Sequence, residues 1–194
     1  MRALTALLLL ATAGCATGGS RLEPTTPPQV QLTGPHSAVW AGPQTWVAVD
    51  WQYAGANLAE EWLVLDVAIT GAENRAATVE RDEVFVRTPS GRRVSLASQR
   101  GLSQAWTDLR GGVRRAVMVA DPISPFPGSR RGCRFDFFAV PGTRVTTDRV
   151  SVNDRRACRS LLFFQVPGGV EAGRWVFGIR LEESEVRIPF DLGG

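Results

Sequence analysis

The sequence predicts an all-β protein, an antiparallel β-sandwich of about 8–10 strands. Short segments in which apolar and polar residues alternate recur along the chain, and turns rich in Gly and Pro separate them. No window keeps a helical period between recognisable caps. Short strands of unequal length with irregular connections favour an open sandwich over a closed barrel.

The chain begins with the pattern of an exported protein. Arg2 is followed by a short apolar run, ALTALLLLA, and by small residues. This pattern is typical of a secretory signal, here over residues 1–14. The apolar run is far shorter than the roughly 20 residues that span a bilayer, so it does not predict a membrane anchor by itself.

Cys15 directly follows Ala13-Gly14, and this motif resembles the lipobox of bacterial lipoproteins. The resemblance implies that Cys15 is acylated and becomes the mature N-terminus, so that the membrane is a partner through the lipid. It implies a location in the cell envelope, and Ala16 after the cysteine favours the outer membrane, with the protein facing the periplasm. Residues 15–29 are rich in Gly, Thr and Pro and predict a flexible tether, which leaves residues 30–194 as the sandwich domain.

Apolar runs of strand length follow each other through the domain. Residues 84–86 and 94–96 flank the turn TPSG, which predicts a hairpin. Short helical turns are expected only within 57–63 and 98–109. The other runs of strand length are 45–53, 62–70, 113–120, 135–140 and 161–166.

The clearest pair of strands closes the chain. Apolar residues alternate with others in 174–181 and in 186–192, which predicts an antiparallel hairpin. Pro189 cannot donate to a ladder, so its strand is expected at a sheet edge. The side chains expected to be buried are those of Trp175, Phe177, Ile179, Val186, Ile188 and Phe190, and those expected to be exposed are Arg180, Glu185 and Arg187.

Four motifs, EEWLVLDVAITG, PSGRRV, LLFFQVPGG and VRIPFDL, occur in this order. They resemble the telokin-like immunoglobulin domains of bacterial envelope lipoproteins. The resemblance implies an immunoglobulin-like sandwich with a binding or structural accessory role and with no shared catalytic residues. We therefore expect a non-catalytic envelope protein without a cofactor, whose partner is an anionic envelope component or an envelope protein.

The charge of the chain is small and its cations are all arginines. The formal net charge is +3, and none of the 22 Lys+Arg residues is a lysine. This charge does not favour nucleic acid as a partner. Without lysine, Schiff-base chemistry on a lysine is excluded.

Cys133 and Cys158 form the remaining pair of cysteines, and in an exported chain such a pair predicts a disulfide. Closing a loop of 25 residues stabilises the fold by roughly 3.5 kcal/mol in the chain-entropy model. The alternative is a metal site, but two cysteines and the single His36 supply at most three soft ligands without paired-cysteine spacing. We therefore expect no metal.

Arginines flank both cysteines. A bridge brings the two groups together, so we expect one basic surface that binds an anionic envelope group through charge-assisted contacts. The alternative is a solvated face balanced by nearby acids. The residues of this candidate binding site are Arg130, Arg131, Arg134, Arg155, Arg156 and Arg159.

Two other classes of function stay open. An envelope hydrolase that uses loop carboxylates needs two of them. Asp50, Asp66 and Asp136 interrupt apolar strands, but alternation places Asp50 and Asp66 on a solvent-facing side. A carbohydrate-binding module needs exposed aromatic platforms, and the ordinary use of the six tryptophans is core packing.

Overall fold

The computed structural model describes residues 28–55, 61–119, 126, 131–140, 143 and 145–193. The expected signal at 1–14, the lipidation site Cys15, the expected tether up to residue 27 and the candidate site residue Arg130 lie outside the described residues. In the described part of the chain, no helix is both long enough and apolar enough to cross a membrane.

The described residues form twelve strands and two α-helices, more strands than the sequence predicts. The strands are β1 (Gln29–Gly34), β2 (Ser37–Ala41), β3 (Thr45–Asp50), β4 (Trp62–Gly71), β5 (Ala76–Glu80), β6 (Val84–Arg87), β7 (Arg93–Ser95), β8 (Arg131–Arg134), β9 (Arg149–Asn153), β10 (Arg156–Gln165), β11 (Gly173–Arg180) and β12 (Glu185–Leu192). The helices are α1 (Gln52–Gly55) and α2 (Gln99–Val119).

The strands form an antiparallel sandwich-like fold, as the sequence predicts. The larger sheet has the order β1-β2-β3-β4-β10-β8, and the smaller one the order β12-β11-β6-β7. A third sheet consists of β5 and β9 alone. Among the strands that the structure describes, β8 alone departs from the antiparallel pattern and runs parallel to β10.

The main core lies between the two large sheets. Its members come from alternate positions of both sheets, and β5 and β9 contribute Ala77, Val79 and Val152. The closing hairpin is confirmed: all six side chains expected inside are buried, and β12, with Pro189, is an edge strand. Arg180 and Arg187 are exposed, and Glu185 is half-buried.

The larger sheet is also covered on its outer face, meaning the face that points away from the smaller sheet. Every residue of β4 is buried. Trp62, Val64 and Phe163 pack there against Leu102 of α2. Farther along the same face, Phe126 packs against a second cluster that includes Trp46. The larger sheet therefore lies between two apolar layers.

The helix α2 corrects the sequence prediction. It has 21 residues, where the sequence predicts a short helical turn within 98–109 and a strand at 113–120. Ser98 Oγ accepts the backbone N–H of Gly101 at 3.0 Å and so caps the helix. The run 135–140, also expected to be a strand, continues β8 as irregular chain.

Candidate binding pocket

A pocket lies beside α2 on the outer face of the larger sheet. Its volume is about 650 Å³, within the usual range for pockets that hold small molecules. It is bounded by α2, by β10 and by the chain that follows β8. The lining residues are Leu102, Trp106, Arg110, Val113, Arg114, Arg134, Asp136, Phe138, Ala139, Val140, Thr143, Ser160, Leu161 and Phe163.

The floor of the pocket is apolar. Phe138 and Phe163 meet edge to face, with their ring centroids 5.1 Å apart. Trp106 and Leu161 pack against the same cluster and are only half-buried. Because these apolar side chains line an open pocket, a bound apolar group removes more of their surface from water.

Two polar side chains hold the wall that carries Phe138. Gln99, the first residue of α2, donates to the Ala139 carbonyl at 2.8 Å and accepts from the Ala139 N–H at 3.0 Å. Arg81 donates to the Phe137 carbonyl at 3.4 Å, and its guanidinium carbon lies 4.9 Å from the centroid of the Phe138 ring. Burial lowers the pKa of Arg81, but an arginine stays charged at neutral pH. These hydrogen bonds hold the wall in place without a ligand.

The rim of the pocket is basic. Arg110 and Arg114 lie one turn apart on the side of α2 that carries Trp106, and Arg134 lies on β8. All three are exposed, and within the described part of the chain none of them forms an ion pair. Asp136 is the one carboxylate among the lining residues. Like charges at this spacing destabilise a helix by about 0.2–0.5 kcal/mol, which a bound anion offsets.

Arginines that the sequence predicts to form one site lie on two different faces of the larger sheet. Arg131 pairs in register with Arg156, and Arg134 pairs with Arg159. Because side chains alternate along a strand, the first pair lies on the side of the disulfide and the second on the outer face. This arrangement corrects the expectation of one basic surface. Of the described members, Arg134 alone lines the pocket, and Arg155 lies in the turn before β10.

Arg159 forms a partly buried ion pair with Asp66. Its Nε lies 3.0 Å from both carboxylate oxygens of Asp66, and its Nη2 lies 2.5 Å from Oδ2. Asp66 is 6% exposed, so the expectation that it faces solvent is wrong. The reason is that the outer face of the larger sheet is covered.

Asp50 lies beside Asp66 on the neighbouring strand, at the paired position of the ladder. Burial raises the pKa of the Asp50 carboxyl above its ordinary value. The Gln52 N–H, which donates to Oδ1 at 3.0 Å, opposes this rise, and the charge of Asp66 adds to it. Neither aspartate lines the pocket.

The carboxylates and tryptophans do not have the arrangement that a hydrolase or a carbohydrate-binding module uses. The pocket holds the single carboxylate Asp136, whereas carboxylate-dependent hydrolysis uses two. Five of the six tryptophans are buried, and Trp106 alone is half-buried, so they form no exposed platform. His36 is exposed in the turn between β1 and β2, away from the lining residues. Among the described residues, no group of three His, Cys, Asp or Glu is placed to hold a metal.

The Cys133–Cys158 disulfide is confirmed. The Cα atoms are 4.2 Å apart, within the reach of a disulfide, and the two residues are register partners of β8 and β10. The bridge therefore fastens β8, and with it Arg134, to the larger sheet. It has a supporting role for one wall of the pocket.

The pocket itself was not predicted from the sequence. The missed residues are Trp106, Arg110 and Arg114 on α2, with their partners Phe138 and Phe163. One signal for them was present: Leu102, Trp106, Leu109 and Val113 follow Ser98 at helical spacing.

Comparison of the chain with known proteins found no matching family model, curated protein or solved structure. The resemblance to telokin-like lipoprotein domains therefore stays a prediction.

Proposed function

We propose that this protein is a lipid-anchored binding protein of the cell envelope, without catalytic activity, and that the pocket beside α2 is its binding site. Cys15 would carry the lipid, and the chain between it and β1, which begins at Gln29, would link the membrane to the domain. The outer membrane, with the domain facing the periplasm, is the proposed location.

The pocket is the observation that carries this proposal. It combines half-buried apolar side chains, among them Trp106 and Leu161, with a few polar ones, of which Arg110, Arg114 and Arg134 are exposed. Such a combination is typical of sites that bind small molecules, in which apolar contacts give affinity and a few polar groups give orientation.

Binding is tested with a neutral apolar dye, N-phenyl-1-naphthylamine, whose fluorescence rises in an apolar site. Val113→Phe places a ring in the pocket and should weaken dye binding about tenfold, because it occupies the space the dye needs. Val145→Phe is the matched control, since Val145 is 87% exposed and does not line the pocket. Equal dye binding by the two variants, with unchanged unfolding transitions, would contradict the proposed site.

Anchoring is tested separately by fractionation of cells. Cys15→Ser should move the protein from the membrane fraction to the soluble fraction, because no acyl chain can then be attached. A wild-type protein found in the soluble fraction, with a mature N-terminus after residue 15, would contradict the lipid anchor and leave the pocket unaffected.

A further inference from the structure

The pocket has a polarity gradient along its length. On α2 the lining residues are, in order, Leu102, Trp106, Arg110, Val113 and Arg114, so both arginines follow the apolar residues Leu102 and Trp106. Leu102 and Arg114 are separated by three turns of helix, or about 18 Å at 1.5 Å per residue. On the facing wall, the order along β10 and β8 is Phe163, Leu161 and then Arg134. Both walls are apolar at one end and basic at the other.

Among the described residues that line the pocket, the arginines outnumber the carboxylates. Three of these lining residues, Arg110, Arg114 and Arg134, are arginines, and one, Asp136, is a carboxylate that has a further interaction within the protein. A guanidinium group binds carboxylate and phosphate oxygens through two parallel hydrogen bonds. The charge of the basic end is therefore complementary to one anionic head group.

From this gradient we infer that the ligand is a single-chain amphiphile, an alkyl chain that ends in one carboxylate or phosphate group. The chain lies along Trp106, Leu161 and Phe163, and the head group contacts Arg110, Arg114 and Arg134. From Leu102 to Arg110 the helix rises about 12 Å at 1.5 Å per residue, which matches an extended alkyl chain of roughly ten to twelve carbons that ends at the arginines. This inference rests on the proposed function, since it names the ligand of the proposed pocket.

The test measures binding by calorimetry to the exported protein with Cys15→Ser, purified without detergent because detergents are themselves single-chain amphiphiles. The probes share one chain and differ in the head group: dodecanoate, dodecyl phosphate, dodecanol and dodecyltrimethylammonium. The two anions should bind one to one and at least about tenfold more tightly than the alcohol, and the cation should bind most weakly.

Two matched variants assign the head-group site. The variant Arg110→Gln/Arg114→Gln/Arg134→Gln should lose about tenfold or more in affinity for the anions and keep its affinity for dodecanol. The variant Arg100→Gln/Arg115→Gln/Arg174→Gln removes the same charge from exposed positions that do not line the pocket. It should bind all probes as the parent protein does.

The possible failures are distinct. If dodecanol binds as tightly as dodecanoate, or if both triple variants lose the same affinity, the inferred ligand class is overturned and the apolar pocket remains. If neither the amphiphiles nor the neutral dye binds, both the inferred ligand class and the proposed binding function are overturned. If dodecanoate binds and dodecyl phosphate does not, the inferred ligand narrows to a carboxylate.

Discussion

The outer faces of the two large sheets carry different side chains. On the smaller sheet, Arg87, Arg174, Arg180 and Arg187 alternate with the core positions and lie exposed in water. On the larger sheet, β4 is buried at every residue and α2 covers its outer side. In a strand with one solvent-exposed face, apolar and polar residues alternate. A strand that is covered on both faces has a continuous run of apolar residues. The run WLVLDVAIT therefore indicates that another layer packs on it.

The same contrast holds for charged groups. Arg180 of the smaller sheet forms an ion pair of 3.2 Å with Glu83, the residue before β6, and their side chains are 56% and 31% exposed. Arg159 and Asp66 form theirs on the larger sheet, with side chains 27% and 6% exposed. A charge in water is stabilised with or without its partner, but a buried charge depends on its partner.

The largest expected effect comes from Arg159→Met. This change removes the bidentate partner of the buried Asp66 carboxylate and should lower the free energy of unfolding by about 3–5 kcal/mol. Arg180→Met, its counterpart on the smaller sheet, should cost less than about 1 kcal/mol. Urea unfolding of the two variants provides the measurement.

A double variant separates loss of the ion pair from loss of packing. Asp66→Leu combined with Arg159→Met removes both charges and should recover most of the lost stability, because a buried pair replaced by apolar residues is often neutral. If Arg159→Met and Arg180→Met lowered the free energy of unfolding equally, the ion pairs on the two outer faces would not differ in their exposure to solvent.

Sequence reasoning succeeded where the local pattern and the final environment agree. The hairpin of β11 and β12 alternates because one face is core and the other is water, so its buried and exposed residues follow from period two. The disulfide also follows from the count of cysteines, since Cys133 and Cys158 are the pair that remains when Cys15 is assigned to the expected lipidation site.

The pocket could not be predicted in the same way because it depends on packing between distant segments. Alternation places Asp66 on the face opposite to the core, which is correct, but it does not show that α2 and Phe126 cover this face. The helix itself was not predicted because Gly111 and Gly112 lie in the middle of its sequence, and glycine is a poor helix former. The run at 113–120 then matches a strand as well as a helix, since short apolar runs do not distinguish them.

The adjacent glycines Gly111 and Gly112 of α2 test how closely the helix packs on the residues beneath it. Gly111→Ala should stabilise the protein by up to about 1 kcal/mol, because alanine favours the helix and its Cβ meets no atom within 4 Å. At Gly112 an added Cβ would lie 1.6 Å from the Tyr53 hydroxyl. Gly112→Ala should therefore destabilise by about 1 kcal/mol, since the Tyr53 ring must move. Thermal unfolding distinguishes the opposite signs, and stabilisation by both changes would indicate that α2 is not held against α1.

The smallest expected effect is the pH dependence caused by Asp50, which lies at the border of the covered outer face beside Asp66. Burial raises the pKa of its carboxyl in the folded protein, whereas the unfolded chain keeps the ordinary value of 3.8. The folded state therefore binds more protons once the pH exceeds 3.8, so the contribution of Asp50 to stability falls as the pH rises through the folded-state pKa. Asn keeps the oxygen that accepts the Gln52 N–H and carries no charge. Asp50→Asn should thus be slightly more stable than the parent protein at neutral pH, with the difference vanishing below pH 3.8. If the stability difference between Asp50→Asn and the parent protein instead grew as the pH fell, the pKa of Asp50 would not be raised in the folded protein. The outer face around Asp50 would then be solvated like that of the smaller sheet.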